Sequence, residues 1–455
     1  MALAVVLILL VIITIVFHFV SVYSPLHWWF TPLASNWGTV DHTVIITFWV
    51  TGTVFILVNL FLAYVIIKYR HKKDRYAHYE PENKKLEGWL TALTAVGVAA
   101  MLAPGLFVWA KFVDVPKDVS EVEAVGQQWS WSFRFPGKDG VFGTADPDYF
   151  SVDNPFGLNP NDTHGKDDIL VNSNEVHIPV NKPVKFLLRS KDVLHDFAVA
   201  PFRVKMDMVP GMITYVWLTP TKTGKYDLLC EELCGLAHFD MRGSVVVEDE
   251  DKFKSWLNQQ PTFAQLQSVP PGDPVAGQAV YAVCAACHGP NGEGNQALNA
   301  PRTAGQDDWY LKRQIYNFKH GIRGAVDGDI YGKQMAPMAM TLADDTAVNN
   351  VAAYIQGLPD APTPKTVRGN IQNGKSLYVT CGSCHGKDGQ GIWNLNAPRL
   401  AGMSDWYLVR QLKNFQKGIR GLQPGDGHGK QMNLMSVMLP TEQDINDVVA
   451  YINTL

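Results

Sequence analysis

Cysteine is scarce in this chain. Six residues in 455 form three close pairs, Cys230/Cys234, Cys284/Cys287 and Cys381/Cys384. The spread spacing of a disulfide framework is missing, so each pair points to a metal or prosthetic group, with three local disulfides as the alternative. Strong net charge is also missing. A formal balance of -4 leaves no basic face of the kind nucleic acid requires. No positive residue precedes the first apolar segment, which opens Met1-Ala2-Leu3. That segment is therefore expected to stay as a membrane helix and not to be removed as a signal peptide. Lys and Arg are absent from Ser21 to His42, an asymmetry that bears on membrane orientation.

Apolar sequence is concentrated at the start. Three stretches, 1–20, 43–67 and 86–113, have the length of about 20 residues that a helix needs to cross a bilayer. Between the second and third lies a loop carrying Lys68, Arg70, Lys72, Lys73, Arg75, Lys84 and Lys85. The positive-inside bias puts this loop in the cytoplasm and the rest of the chain on the outer side. Trp28, Trp29 and Trp37 suit an interfacial aromatic belt.

At 455 residues a single core is excluded by the size at which cores stop growing, about 250–300 residues. From 116 to 257 the runs are short and alternating, as in Glu175–Val180, Val184–Arg189, Tyr215–Pro220, Lys225–Cys230 and Gly243–Glu248. They predict an all-β sandwich. Pro136–Asp168 interrupts it as an Asp-rich insertion, read as a solvated loop because no regular calcium-ligand spacing appears. A Pro/Gln linker over 258–275 follows. The remainder is an internal duplication, in which 276–358 aligns with 373–455 without a gap at an offset of 97, across a Pro-rich linker at 359–372. Asn-Ala-Pro-Arg, Gly-Ile-Arg-Gly and Gly-Lys-Gln-Met recur in both copies, and both end in a helical apolar pattern.

Each copy carries Cys-x-x-Cys-His, at Cys284, Cys287, His288 and at Cys381, Cys384, His385. Two thiols one helical turn apart can add to the vinyl groups of haem, and the adjacent imidazole then meets the iron. A sixth ligand from Met raises the potential. Met335 or Met338 and Met432 or Met435 stand in matching places. The copies resemble tandem dihaem cytochromes c, all-α domains. That resemblance implies Met335 and Met432 as ligands, and a proline carbonyl, of Pro301 and Pro398, on each axial histidine.

Upstream, Cys230-Glu231-Glu232-Leu233-Cys234-Gly235-Leu236-Ala237-His238-Phe239-Asp240-Met241 holds two thiols, an imidazole and a thioether, and His195 offers a second imidazole. This soft donor set selects copper. Two Cys with two His would also suit tetrahedral zinc, which has no use for Met241, and a Cys230–Cys234 disulfide is a further alternative. The string, preceded by Val193-Leu194-His195, resembles the CuA signature of cytochrome c oxidase subunit II, over about Thr43 to Leu257. The resemblance implies a cupredoxin-like Greek-key domain holding dinuclear copper on His195, Cys230, the Glu232 carbonyl, Cys234, His238 and Met241. It also implies magnesium on the Glu232 carboxylate at a boundary with subunit I. Two further segments resemble the family. Gly126–Phe133 is similar to its aromatic electron path, with Trp129 as the conductor and Ser130 in an aromatic place. Leu86–Thr91 is similar to the segment whose carboxylate, here Glu87, assists proton uptake. Ordinary core and an ordinary helix-start glutamate are the alternatives.

The expected chain is thus multi-domain: transmembrane helices within 1–115, a CuA domain, and two cytochrome c domains. The resemblance implies a non-catalytic subunit II of a haem–copper terminal oxidase in a bacterial inner membrane, with its copper and haem domains on the periplasmic side. Electrons would come from a cytochrome c or an upstream respiratory complex and leave for subunit I, where oxygen is reduced to water. Within its own apolar segments only His18 occurs, with His42 at an edge, too few for buried haem and copper ligation. A catalytic subunit I and other membrane subunits are therefore expected partners. A copper subunit of a membrane nitric oxide reductase and a free-standing membrane electron carrier would use the same ligands.

Overall fold

The computed structural model describes residues 2–23, 31–73, 75–76, 79–151, 154–268 and 271–455. Three helices open the chain: α1 (Ala2–Tyr23), α2 (Gly38–Lys68) and α3 (Lys84–Val113). All are long and apolar enough to cross a membrane. α2 and α3 begin before their apolar stretches do. For α3 the reason is local: Asn83 caps the helix by accepting from Leu86 N (3.1 Å), and Glu87 accepts the Asn83 N–H in return (3.3 Å).

Ten strands follow: β1 (Ser120–Gln127), β2 (Ser130–Phe135), β3 (Ile169–Val171), β4 (Glu175–Pro179), β5 (Val184–Ser190), β6 (His195–Val199), β7 (Val204–Met208), β8 (Thr214–Leu218), β9 (Gly224–Leu229) and β10 (Arg242–Glu248). They form two five-stranded sheets, ordered β3-β2-β1-β5-β8 and β4-β10-β9-β6-β7. β1 runs parallel to β5, and β4 to β10; the other pairs are antiparallel. β5 buries alternate residues, Val184, Phe186, Leu188 and Ser190, as a period of two requires. Phe197 of β6 meets Phe186 (centroids 4.9 Å apart) and the edge of Trp131 (6.0 Å), so aromatic rings from both sheets join in one core. Such pairs add about 0.5–1.5 kcal/mol each beyond area burial.

The sandwich is bound to the membrane anchor. Arg203 forks onto Asp41 (2.6 and 3.0 Å), and Trp217 Nε1 donates to Phe112 O (2.9 Å). Trp37 belongs to this joint and not to an interfacial belt. It is 2% exposed, packs on Trp217 and Phe112, and donates to Trp217 O. Trp28 and Trp29 lie outside the described residues. A short helix, α4 (Glu250–Leu257), closes this part by packing on β4.

The second compact unit comprises Gly137–Asp168 and Thr262–Leu455. The insertion thus groups with the C-terminal chain, where the sequence reading left it with the sandwich. Helix α5 (Phe263–Gln267) explains this: Phe263 N donates to Asp168 O (2.9 Å), and α5 packs on residues 164–167. This helix lies inside the expected linker, started by a Thr262/Gln265 capping box. The insertion's acids accept backbone N–H groups, Asp167 from Lys138 and Asp139, Asp162 from Thr144, and Asp168 from Gly143.

Each repeat is a four-helix domain. The first has α6 (Pro274–His288), α7 (Asp308–Lys319), α8 (Ile330–Met340) and α9 (Asp345–Gln356). The second has α10 (Ile371–His385), α11 (Asp405–Gln416), α12 (Gly427–Ser436) and α13 (Glu442–Ile452). First and last helices cross in each, at Gly277 and Gly374. A Cβ at either would stand 2.0 Å from the carbonyl oxygen of Asn350 or Asp447, so only glycine lets the helices touch.

Candidate metal and haem centres

The copper-type donors come from two places in the sandwich. His195 opens β6, and the others lie on the β9–β10 connection. His195, Cys230 and Cys234 present ligand atoms all within 4.8 Å of one another. The two sulfurs are 3.7 Å apart. Cys230 Sγ lies 3.9 Å from His195 Nδ1 and 3.2 Å from the Glu232 carbonyl oxygen. Cys234 Sγ lies 3.4 Å from His238 Nδ1 and 3.8 Å from Met241 Sδ. All six candidate donors converge. Each thiol has an imidazole and one weaker donor beside it, a pattern with a surplus over the four donors of a structural zinc site.

The loop can turn this tightly because Gly235 sits at φ +114, where a Cβ would meet Gln128 Nε2 at 2.7 Å and the Trp129 ring at 3.1 Å. Gln128 Nε2 and Trp129 Nε1 both donate to the Cys234 carbonyl (2.8 and 3.1 Å). Trp129 therefore lies against the thiolate loop, nearly buried. Asp192 and Gln128 were not singled out in the sequence. Asp192 Oδ1 holds His195 Nε2 at 2.8 Å, which leaves Nδ1 facing the sulfurs. The available signal was an acid three residues before the histidine, and carboxylate–imidazole support of this kind orients metal ligands.

Electrostatics match a thiolate site. The hydrogen bond shared with Cys234 outweighs burial, and with His195 it draws the Cys230 thiol well below its ordinary value, while the same bond and burial push Cys234 up. Burial works to lower His195, but Asp192 and Cys230 raise it overall. A soft cation placed among these groups would take over the role of the shared proton. The donor chemistry fits copper.

The haem-type residues are equally regular. Cys284, Cys287 and His288 occupy the last turn of α6, and Cys381, Cys384 and His385 that of α10. His288 Nδ1 donates to Pro301 O at 2.7 Å, and His385 Nδ1 to Pro398 O at 2.7 Å. Each carbonyl fixes the ring and leaves Nε2 free for iron. Burial lowers both histidines, keeping the imidazoles neutral as ligation requires. Burial raises the Cys284, Cys381 and Cys384 thiols, Cys381 to about 11. Tyr281 and Tyr378 brace the following turns through Gly289 O and Gly386 O, both at 2.8 Å. These residues fit covalently attached haem.

The first repeat separates its two methionines. Met335 packs into the core cluster that includes Cys284, whereas Met338 is 37% exposed. In the second repeat Met432 and Met435 are both half-buried. Of the two glutamates singled out in the sequence, Glu87 uses its carboxylate at the start of α3, where it accepts the Asn83 N–H, and Glu232 joins the copper-type donors through its carbonyl beside Cys230.

A copper-type sandwich carried on membrane helices and followed by two haem-attachment domains is the build of a membrane electron-transfer protein. Residues 120–249 match the model of the cytochrome c oxidase subunit II periplasmic domain, and 274–359 and 371–455 each match cytochrome c. An alternative cytochrome c oxidase subunit 2 of Bradyrhizobium diazoefficiens is 57% identical over 266 residues, covering 58% of this chain and 94% of that protein. A cytochrome c oxidase subunit 2 of Cereibacter sphaeroides is 26% identical over 54% of this chain and 82% of its own length. Cytochrome c4 of Azotobacter vinelandii is 32% identical over 40% of this chain and 90% of its length. The chain belongs to the cytochrome c oxidase subunit 2 family, and it carries two cytochrome c domains beyond the copper domain.

Proposed function

We propose that this chain is the electron-accepting subunit II of a haem–copper terminal oxidase. The carrying observation is the convergence of two thiols, two imidazoles, a thioether and a carbonyl within one loop and one strand start. Bound copper and haem supply one-electron carriers, so that electrons from a cytochrome c or an upstream complex reach dinuclear copper and then a catalytic subunit I that reduces oxygen to water.

The residues divide the task. Cys230, Cys234, His195, His238, Met241 and the Glu232 carbonyl would together hold the dinuclear copper, the two thiolates shared between its ions and one imidazole given to each. Cys284, Cys287, His288 and Met335 hold one haem; Cys381, Cys384, His385 and Met432 hold the other, Met432 by equivalence with Met335. Trp129 offers an aromatic ring hydrogen-bonded to the Cys234 carbonyl as an electron path. The Glu232 carboxylate serves a magnesium at the subunit I boundary, and Glu87 assists proton uptake besides capping its helix. The basic loop faces the cytoplasm, the domain at 116–257 and the repeats at 276–358 and 373–455 face the periplasm, and the helices within 1–115 meet subunit I and lipid.

The test is metal and haem content of the purified full chain, with visible and near-infrared spectra. Two coppers and two c-type haems per chain are expected; one zinc, or a Cys-x-x-Cys-His pair without porphyrin, sinks the proposal.

A further inference from the structure

The two cytochrome copies close their methionine-bearing helices in the same way, with one difference of charge. The turn after each of these helices, α8 or α12, presents a carbonyl that lies beyond the helical ladder. The last residue of the preceding helix, α7 or α11, supplies the donor. In the second copy that residue is Gln416, whose Nε2 donates to Ser436 O (2.8 Å) and Leu439 O (2.7 Å). In the first copy the same position, at the offset of 97, is Lys319, whose Nζ donates to Leu342 O (2.5 Å). Leu342 and Leu439 are equivalent in turn, each buried in its copy's core cluster together with Cys284 or Cys381. Met335 packs on the first of those clusters. The hydrogen bond is common to both copies; the ammonium is not.

Lys319 is half-buried, its partner is a neutral carbonyl, and it forms no ion pair among the described residues. The other charge differences nearby are of another kind. His320 and Lys417, the next residues along, are exposed. Lys413 of the second copy is neutralised by Glu442, and Asp345, which the Tyr316 phenol meets in the first copy, is exposed. Water and salt screen charges of that sort, whereas an ammonium held half-buried against the end of a helix is screened less. One unbalanced charge separates two otherwise matched closures.

We infer that position 319/416 is a potential-setting site: the Lys319 ammonium favours the reduced state of the first copy's haem, and the neutral Gln416 gives the second no such bias. This rests on the haem assignment proposed above. Reduction adds one electron to the iron and moves no proton at Lys319. A fixed positive charge therefore stabilises the product more than the reactant. Lys319 acts as a positioning residue through its hydrogen bond, a role Gln416 fills equally. Only its charge distinguishes two domains that share every proposed haem ligand.

The experiment is spectroelectrochemical titration of the full chain with both haems attached. Glutamine is the second copy's own donor to the equivalent carbonyl, so Lys319→Gln removes the charge and keeps the closure. It is expected to lower one midpoint by about tenfold in the reduction equilibrium, or about 59 mV for one electron, and to leave the other nearly in place. Gln416→Lys is expected to raise that other midpoint by a similar amount. Lys319→Arg keeps the charge and should stay at the wild-type values. Haem-replete Lys319→Gln with both midpoints unmoved overturns the inference, and so does an equal shift in Lys319→Arg. Loss of the methionine-to-iron charge-transfer band along with the shift overturns it too, because position 319 would then act through ligand placement. Where Lys319→Gln does not fold, Gln416→Lys decides alone, and unmoved midpoints refute the site. Wild-type protein without covalent haem would defeat the functional reading instead.

Discussion

The copper loop and the haem motifs position similar donor atoms by opposite means. Each haem site is largely local: two thiols and an imidazole share one helical turn, and a proline carbonyl thirteen residues on fixes the ring. The copper-type site joins a strand start to a loop 35 residues later, and its donors meet because β6 lies beside β9 in one sheet, which brings the start of β6 to the β9–β10 connection. Local donors are held by helix geometry and covalent attachment. Distant donors are held by everything packed behind them, so the copper-type site should be the more sensitive to supporting residues.

The strongest way to break the comparison is Cys234→Ser. Copper content should fall from two per chain to none, while the haem spectrum of the same protein stays unchanged; coupled loss of both would show that the centres are not independent. On the haem side, Met335→Ala should leave both haems covalently bound and drop one midpoint by on the order of 0.1 V, within the roughly 0.8 V that axial ligands span. An unchanged potentiometric titration would give the ligand role to Met338. Asp192→Asn sharpens the contrast, since it touches no metal donor except through His195 Nε2. Copper affinity should weaken about 10–100-fold by competition with a chelator, with haem content constant.

Acidity separates the two kinds of site next. His195 has a raised pKa and Cys234 must shed its proton, so protons compete with copper and affinity should climb as pH rises through and above the ordinary histidine value of about 6.5. Copper titrations at about pH 6 and about pH 8 would read this, whereas thioether-linked haem should be retained at both. The smallest effect expected is Asp360→Asn. This carboxylate is half exposed although Arg302 is buried, so solvent screening limits the loss in thermal stability of the haem domains to about 1 kcal/mol. A larger loss would mean that Asp360, paired with Arg302 and Arg399 at 2.7 Å each, and not the packing of the two cytochrome copies, holds them together.

Much of this could be read before any coordinates. The duplication, both Cys-x-x-Cys-His motifs and the copper-type string are patterns whose chemistry is set by residue type and spacing. Trp37 misled because a tryptophan next to a membrane segment is read as interfacial, while here it fills the joint under Trp217. Helix α5 hid in a Pro/Gln stretch because its signal is a capping box and not an apolar period. Asp192 and Gln128 were silent because support for a ligand leaves no periodic mark. Spacing alone did not separate Met335, packed against the core cluster beside Cys284, from the exposed Met338.

Which groups are present was already legible in the order of residues: membrane-length helices, a β-rich middle, twin haem motifs and a soft donor set. Hydropathy, periodicity and ligand softness act through residue identity and short spacing. Which of these groups face one another was settled by the folded chain. It brought His195 to the two thiols, put Asp192 behind its ring, and set Arg302 and Arg399 of the two cytochrome copies on the one carboxylate of Asp360. Those outcomes depend on strand pairing and domain packing, where residues remote along the chain share one low-dielectric space and their charges and hydrogen bonds must be satisfied together.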